Sequence, residues 1–362
     1  MVAGQGGAPR ARPLLAGGRM PAVDSVSQFA LGAAISVAVM GRRTAVWKAA
    51  LWGAVAGTLP DLDVLIDHGN AIHNMVLHRA ETHAPFWLTL FSLPLAALVV
   101  WAHDERTLWR RWWLAIWLAL VTHPLLDAMT VYGTQLALPF SDHPYGAASI
   151  FIIDPLYTLP LLAGAGWALA SRGGGWGLRA NLAGLLISTL YLGWGLQAQQ
   201  QVERVARQAL AAQGVQAESV LVTPTAFNTL LWRVVAVSGA DYHEGFYSLL
   251  DADQRMHFDR FERGPGVGSV PGSALYSLDG VQRIAAFSKG FFKLHQQGAQ
   301  WLVTDLRMGQ EPNYVFSFAV AEQRSPLQAL AQPQQIGARI DLARGLRWLW
   351  RRALGEPLLP PR

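Results

Sequence analysis

Long apolar runs, each closed by a few polar residues, fill the first 200 positions of the chain. Runs near spanning length fall at about 84–102 (APFWLTLFSLPLAALVVWA), 112–131, 150–170 and 180–198, since a bilayer core of about 30 Å needs about 20 apolar residues in a helix. Two shorter runs, 26–41 and 45–66, are rich in Gly and Ala and read as short spans or a partly re-entrant hairpin. After residue 200 the pattern changes. QQQVERVARQALAAQG keeps a helical period, whereas ESVLVTP, TLLWRVVAVSG and GFYSLLD alternate apolar and polar positions and end at turn signals, as half-buried strands do. A helical segment at 276–288 precedes two more strand-like runs, AQWLVTDLRM and NYVFSFAVAE, and a basic helix is expected in IDLARGLRWLWRRALG. The expected fold class is an all-α polytopic membrane domain of about four to six spans, followed by a small α+β domain. The boundaries drawn are an N-terminal extension over 1–22, the membrane domain over 23–200, the α+β domain over 201–330 and a C-terminal basic helix and tail over 331–362.

Composition narrows the class. With 52% hydrophobic residues, 15% charged and 15 Trp in 362 residues, the chain is too apolar for an ordinary soluble enzyme of its size. Cysteine is absent, which removes thiol catalysis, Cys-ligated zinc and disulfides, so a metal would be held by His, Asp or Glu. A net charge of +5 invites thoughts of nucleic acid, but the basic residues of the first half lie in short loops between apolar runs, and no nucleic-acid partner is expected.

Those loops predict an orientation. Between residues 20 and 200 the Lys and Arg residues are Arg42, Arg43, Lys48, Arg79, Arg106, Arg110, Arg111, Arg172 and Arg179. If six spans alternate, all but Arg79 fall on one side, which the positive-inside rule makes cytoplasmic. The C-terminal half is then extracytoplasmic. Arg10, Arg12 and Arg19 run against this and are assigned to an extension ahead of a start near Met20. The same topology gathers Asp24 and Gln28, Asp61 and Asp63 of GTLPDLDVLIDHG, His78 and His83 of HRAETH, His123 and Asp127 of THPLLDAMTVYG, and Asp154 of FIIDPLY at the outer face.

His123 and Asp127 lie one helical turn apart and share a face, although Pro124 between them predicts a bend. Asp61 and Asp63 would point to one side of an extended segment. Carboxylates and imidazoles gathered at one interface suit a divalent cation, with zinc first and manganese or iron as alternatives. An ion that acidifies a bound water would make hydrolysis its natural chemistry. Each motif alone also has a plainer meaning: an interhelical hydrogen bond for His123 and Asp127, a capped turn for PDLD, a solvated loop for HRAETH. His68 and His73 recur at five-residue steps, which rotate around a helix, and read as loop residues. His103 falls at the opposite end of its run. Asp241, His243 and Glu244 in ADYHEGF read as a solvated turn.

Taken in order, DSVSQFALGAA, GRRTAVWKAALWGAVAGTLPDLDVLI, HRAETH, THPLLDAMTVYGTQLALPF and FIIDPLYTLPLL resemble the YdjM-type family of membrane-bound, metal-dependent hydrolases over about residues 24–170. The resemblance implies a bacterial inner-membrane protein, with Asp61, Asp63, His78, His83, His123 and Asp127 as metal-site residues. It also implies a distant similarity to zinc-dependent phospholipase C and hence phosphoester chemistry. Gln28 stands where many members carry His, and HRAETHAPF departs from a smaller, Ser-containing pattern around the second His.

The expected function is therefore a metal-dependent hydrolase in the lipid bilayer, acting on an amphiphilic or lipid-linked ester, with Asp154 or Asp24 as orienting group or general base. The rival is a non-enzymatic structural or partner-binding membrane protein in which a structural metal or a hydrogen-bond network holds the spans together. A transporter fits less well, because the polar residues gather at one face instead of lining a path.

Overall fold

A computed structural model describes residues 25–265, 267, 274–337 and 341–362. The expected extension over 1–22, Asp24 and most of the 264–273 loop lie outside the described residues.

Among the described residues, seven α-helices build the first half: α1 (Ser25–Met40), α2 (Val46–Thr58), α3 (Ala71–Leu77), α4 (Pro85–His103), α5 (Trp109–Asp127), α6 (Pro155–Ala170) and α7 (Gly175–Ala212). Val37 and Met40 of α1, Ala49 of α2, Val99 of α4 and Trp112, Ile116 and Leu120 of α5 form its inner core. The α5 members recur at four-residue steps, the spacing of one helix face. α1 and α2 touch along a glycine seam. A Cβ on Gly53 would fall 2.3 Å from the Gly32 carbonyl oxygen, and one on Gly57 would fall 2.6 Å from the Gln28 carbonyl oxygen. That closeness carries the segment after α2 directly onto α1.

The expected bundle of about four to six spans is corrected here. Among the described residues one helix, α4, is long and apolar enough to cross a membrane. α1 and α6 have 16 residues each, about 24 Å at 1.5 Å per residue, and α2 ends at Thr58 because Pro60 opens a tight 3-10 turn, Pro60–Leu65. α5 spends its first turn on Arg110 and Arg111 and its last on His123 and Asp127. α7 runs unbroken for 38 residues into the polar QQQVERVARQALAA, so the separate amphipathic helix expected there is the C-terminal end of α7. Pro124 does not interrupt α5.

The second half is built on two antiparallel sheets. β1 (Ser219–Pro224), β2 (Leu231–Ser238), β3 (Asp241–Ser248) and β4 (Phe258–Glu262) form a meander in chain order. After α8 (Asp279–Phe287) come β5 (Phe292–Gln297), β6 (Gln300–Asp305), a small hairpin of β7 (Gly309–Gln310) and β8 (Asn313–Tyr314), then β9 (Ser317–Glu322) and β10 (Gln328–Gln335). The second sheet has the order β10-β9-β6-β5, and α9 (Leu342–Ala353) follows. The expected turn at ADYHEGF is instead β3. Glu244 is fully buried there, ion-paired at 2.6 Å with Arg233 on the neighbouring strand, which offsets the cost of burying its charge.

Apolar packing and an arginine tie the halves together. Val202, Ala206 and Leu210 of α7 pack on Trp232, Val234 and Ala236 of β2. Ile72 and Met75 of α3 join Tyr132 in a core with Val281 and Ile284 of α8 and Phe318 of β9. Arg307 donates to the Tyr132 carbonyl at 2.9 Å while Asp305 neutralises it at 2.7 Å. The second sheet is thereby anchored to the segment that follows α5.

Candidate metal centre

Four ligand-type atoms converge where α5 ends. Asp61 comes from the Pro60–Leu65 turn, His83 from the Glu81–His83 turn ahead of α4, and His123 and Asp127 from the last turn of α5. The two Nε2 atoms are 3.1 Å apart. Asp127 Oδ2 lies 3.2 Å from each of them, and Asp61 Oδ1 lies 3.3 Å from His123 Nε2 and 3.6 Å from His83 Nε2. A tetrahedral ion with bonds of 2.0–2.1 Å has ligand-to-ligand edges of about 3.3 Å. The donor set therefore matches a small divalent cation in chemistry and in spacing.

Each ligand is held from behind. His123 Nδ1 sits 2.6 Å from the Gly57 carbonyl oxygen, an acceptor that keeps the proton on Nδ1 and turns the Nε2 lone pair inward. His83 Nδ1 meets Thr82 Oγ1 at 3.0 Å, and Thr82 in turn donates to Asp63 Oδ2 at 2.9 Å. Asp127 Oδ1 accepts from Gln28 Nε2 at 3.0 Å and faces Arg79 Nη2 at 3.3 Å. Its other oxygen, Oδ2, and Asp61 Oδ2 are buried and, among the described residues, have no hydrogen-bond partner. Buried carboxylate oxygens in that condition are costly, and a cation would satisfy them.

Asp63 and His78 stand one step behind the four. Asp63 receives the Arg79 backbone N–H at 3.0 Å and His78 Nδ1 at 2.8 Å, and its Oδ2 is 3.4 Å from His83 Nδ1. Asp61 and Asp63 do not point to one side of an extended segment, as expected from their spacing. The 3-10 turn rotates about 120° per residue, so the two carboxylates bracket His83, one near each ring nitrogen.

Electrostatics follow from burial among opposite charges. Burial alone would push the His83 imidazole down, yet the carboxylates of Asp127, Asp61 and Asp63 raise it to about 9. Burial alone would push Asp61 up, and the imidazoles of His123 and His83 hold it well below the usual carboxylate range. Asp63 is held down in the same way by His78 and His83.

The remaining expected site residues are placed elsewhere. Asp154 caps the N-terminus of α6 by accepting from Leu156 N at 3.0 Å, and it binds the Tyr191 hydroxyl at 2.8 Å. Burial raises its pKa. Among the described residues, it makes no hydrogen bond to a member of the metal cluster. Asp24 lies outside the described residues. His68 is in a loop, His73 is on α3, and His103 accepts from Trp52 Nε1 at 2.8 Å at the far end of α4.

The family model described as YdjM inner membrane protein matches residues 23–202, the stretch that holds all of these groups. This stretch belongs to the YdjM family. A curated relative, the uncharacterized protein YfhP of Bacillus subtilis (strain 168), is 25% identical over 226 residues, 60% of this chain and 66% of that protein. The chain thus covers just under two thirds of that relative. No solved structure matches. Within the YdjM stretch, sequence reasoning overlooked Arg79, which is 1% exposed and contacts both Asp127 and Asp63. Its signal was present, since it is the one basic residue that breaks the one-sided pattern of the loops. Thr82 and the Gly57 carbonyl carried no signal of their own.

Proposed function

We propose that the protein is a membrane-bound, metal-dependent hydrolase that acts on an ester or phosphoester of an amphiphilic substrate. The observation that carries this is the convergence of His83 Nε2, His123 Nε2, Asp61 Oδ1 and Asp127 Oδ2 in a cluster whose fixed charges favour a cation. Asp61, Asp63 and Asp127 contribute three negative charges against the one positive charge of Arg79, leaving two for a divalent ion to balance while both imidazoles stay neutral. Two imidazoles and two carboxylates suit zinc, with manganese or iron as alternatives. A divalent ion here would supply Lewis acidity and an acidified water.

The protein's own groups divide the remaining work. His83, His123 and Asp127 are fully buried and locked by Thr82, Gly57, Gln28 and Arg79. Asp61 is the member with solvent-facing surface, its side chain 17% exposed. Leu62, Leu65 and Ile66 of the same turn and its cap are exposed, and so is Phe86, three residues past His83, which meets exposed Phe140 edge to face at 5.7 Å. An apolar rim beside a polar centre favours a substrate with a hydrocarbon chain, which the bilayer would deliver.

One observation favours a second reading. Four protein ligands form a closed shell, as in structural metal sites, whereas catalytic sites keep a position open. Cobalt-loaded protein distinguishes the two. A visible spectrum that shifts when phosphate is added shows an exchangeable position. Together with cleavage of micellar phosphoesters that disappears when the metal is stripped and returns when it is restored, that shift supports the hydrolase. An unchanged spectrum and an inactive protein support a structural ion.

A further inference from the structure

We propose that α9 lies on the bilayer surface, with Leu346, Trp350 and Leu354 in the acyl boundary and Arg344, Arg347 and Arg351 on anionic lipid headgroups. One edge of α9 is committed to the protein. Leu349 and Ala353 pack on Leu231 and Phe246, and Arg352 pairs with Asp251 at 2.7 Å and donates to the Phe246 carbonyl at 3.2 Å. The helix is therefore fixed in rotation.

That rotation leaves an apolar strip uncovered. Leu342, Leu346, Trp350 and Leu354 recur every four residues and are 70%, 40%, 48% and 67% exposed. Arg347 and Arg351 fall three and one positions from Trp350, and with Arg344 they make an exposed basic strip beside the apolar one. Arg351 is paired with Glu356, while Arg344 and Arg347 have no ion pair among the described residues. An apolar strip containing Trp and bordered by arginines is the pattern of a helix lying in a membrane interface.

The location agrees. Ala226, packed against the buried edge of α9, belongs to the turn between β1 and β2. Thr229 of that turn receives Trp194 Nε1 at 3.1 Å and meets the Tyr191 hydroxyl at 3.0 Å on α7. Along α7, Leu182, Leu186, Leu190 and Trp194 are all exposed. The turn that packs on the buried edge of α9 thus also touches α7 at Trp194, the last of those exposed residues, and the uncompensated arginines select an anionic surface as the partner.

Because the chain has no cysteine, Leu346→Cys carries a single nitroxide in the full-length protein. The test uses vesicles of phosphatidylcholine with and without phosphatidylglycerol, and Gln254→Cys as a water-exposed control. With the anionic lipid, the label at 346 should be reached by oxygen and shielded from a water-soluble nickel reagent, while the control stays accessible. Arg344→Gln and Arg347→Gln should each weaken that lipid-dependent shielding about fivefold. The proposal is overturned if the label remains open to water in both vesicles, if its shielding ignores the arginines, or if it is already covered in lipid-free detergent, where a second protein copy would be the cover.

Discussion

Arg79 holds a left-handed backbone conformation, φ 65°, which costs a residue with a Cβ roughly 1–2 kcal/mol. Neighbours enforce it: its N–H is bound by Asp63, its carbonyl accepts from Gln135 N at 3.0 Å, and its guanidinium reaches Thr130 and Asp127. Arg79→Met leaves the buried Asp127 carboxylate without that cation, so unfolding in detergent should show a loss of about 3–5 kcal/mol, partly restored by excess zinc. The metal-free centre also titrates. His83, raised to about 9, carries a proton below that pH, and a bound ion must displace it. Zinc or cobalt titrations should accordingly give affinities that climb as pH rises from about 6 toward 9, by about tenfold per unit for each proton displaced; a pH-independent affinity would mean that His83 is not a ligand. At this scale the sequence was partly legible. His123 and Asp127 follow from helical spacing. The role of Asp63 does not, because spacing cannot distinguish a 3-10 turn from an extended segment, and the two place its carboxylate on different sides.

The α1–α2 seam is the element on which the centre depends, since it places Gly57 where its carbonyl meets His123 Nδ1 at 2.6 Å. Gly53→Leu has no room for a side chain against the Gly32 carbonyl and Ser36 Cβ, 2.3 and 2.4 Å from the new Cβ. The helices must part, with an expected cost of at least 1–3 kcal/mol; a thermal shift measured with bound-metal analysis should show the protein losing both stability and ion. The strands of the second half were readable, because alternation in TLLWRVVAVSG and NYVFSFAVAE maps onto β2 and onto β8 and β9. The number of spans was not. The expected runs took in apolar residues after Thr58, after Asp127 and before Pro155 that lie outside α2, α5 and α6, and Glu244 was misread because its partner Arg233 is eleven residues away on another strand.

At the scale of the whole molecule, the YdjM stretch supplies the candidate centre while the sheets brace it from one side. Tyr132, just past α5, donates to the Met75 carbonyl at 2.5 Å and packs edge to face on Phe287 and Phe316. Arg307 ties the same segment to the second sheet. The second half therefore braces the segments that flank His83 and Asp127, a role that sequence alone could not assign, because the contact between Tyr132 and Arg307 spans 175 residues. The most direct measurement is the metal content of the detergent-purified full-length protein, beside His123→Ala and Asp127→Ala. One zinc, manganese or iron per chain is expected in the parent, lost in both variants while their folded far-ultraviolet spectra persist. A well-folded parent that takes up no ion even when supplied with all three would contradict the metal centre and reduce His83, His123, Asp61 and Asp127 to a hydrogen-bonded brace between helices.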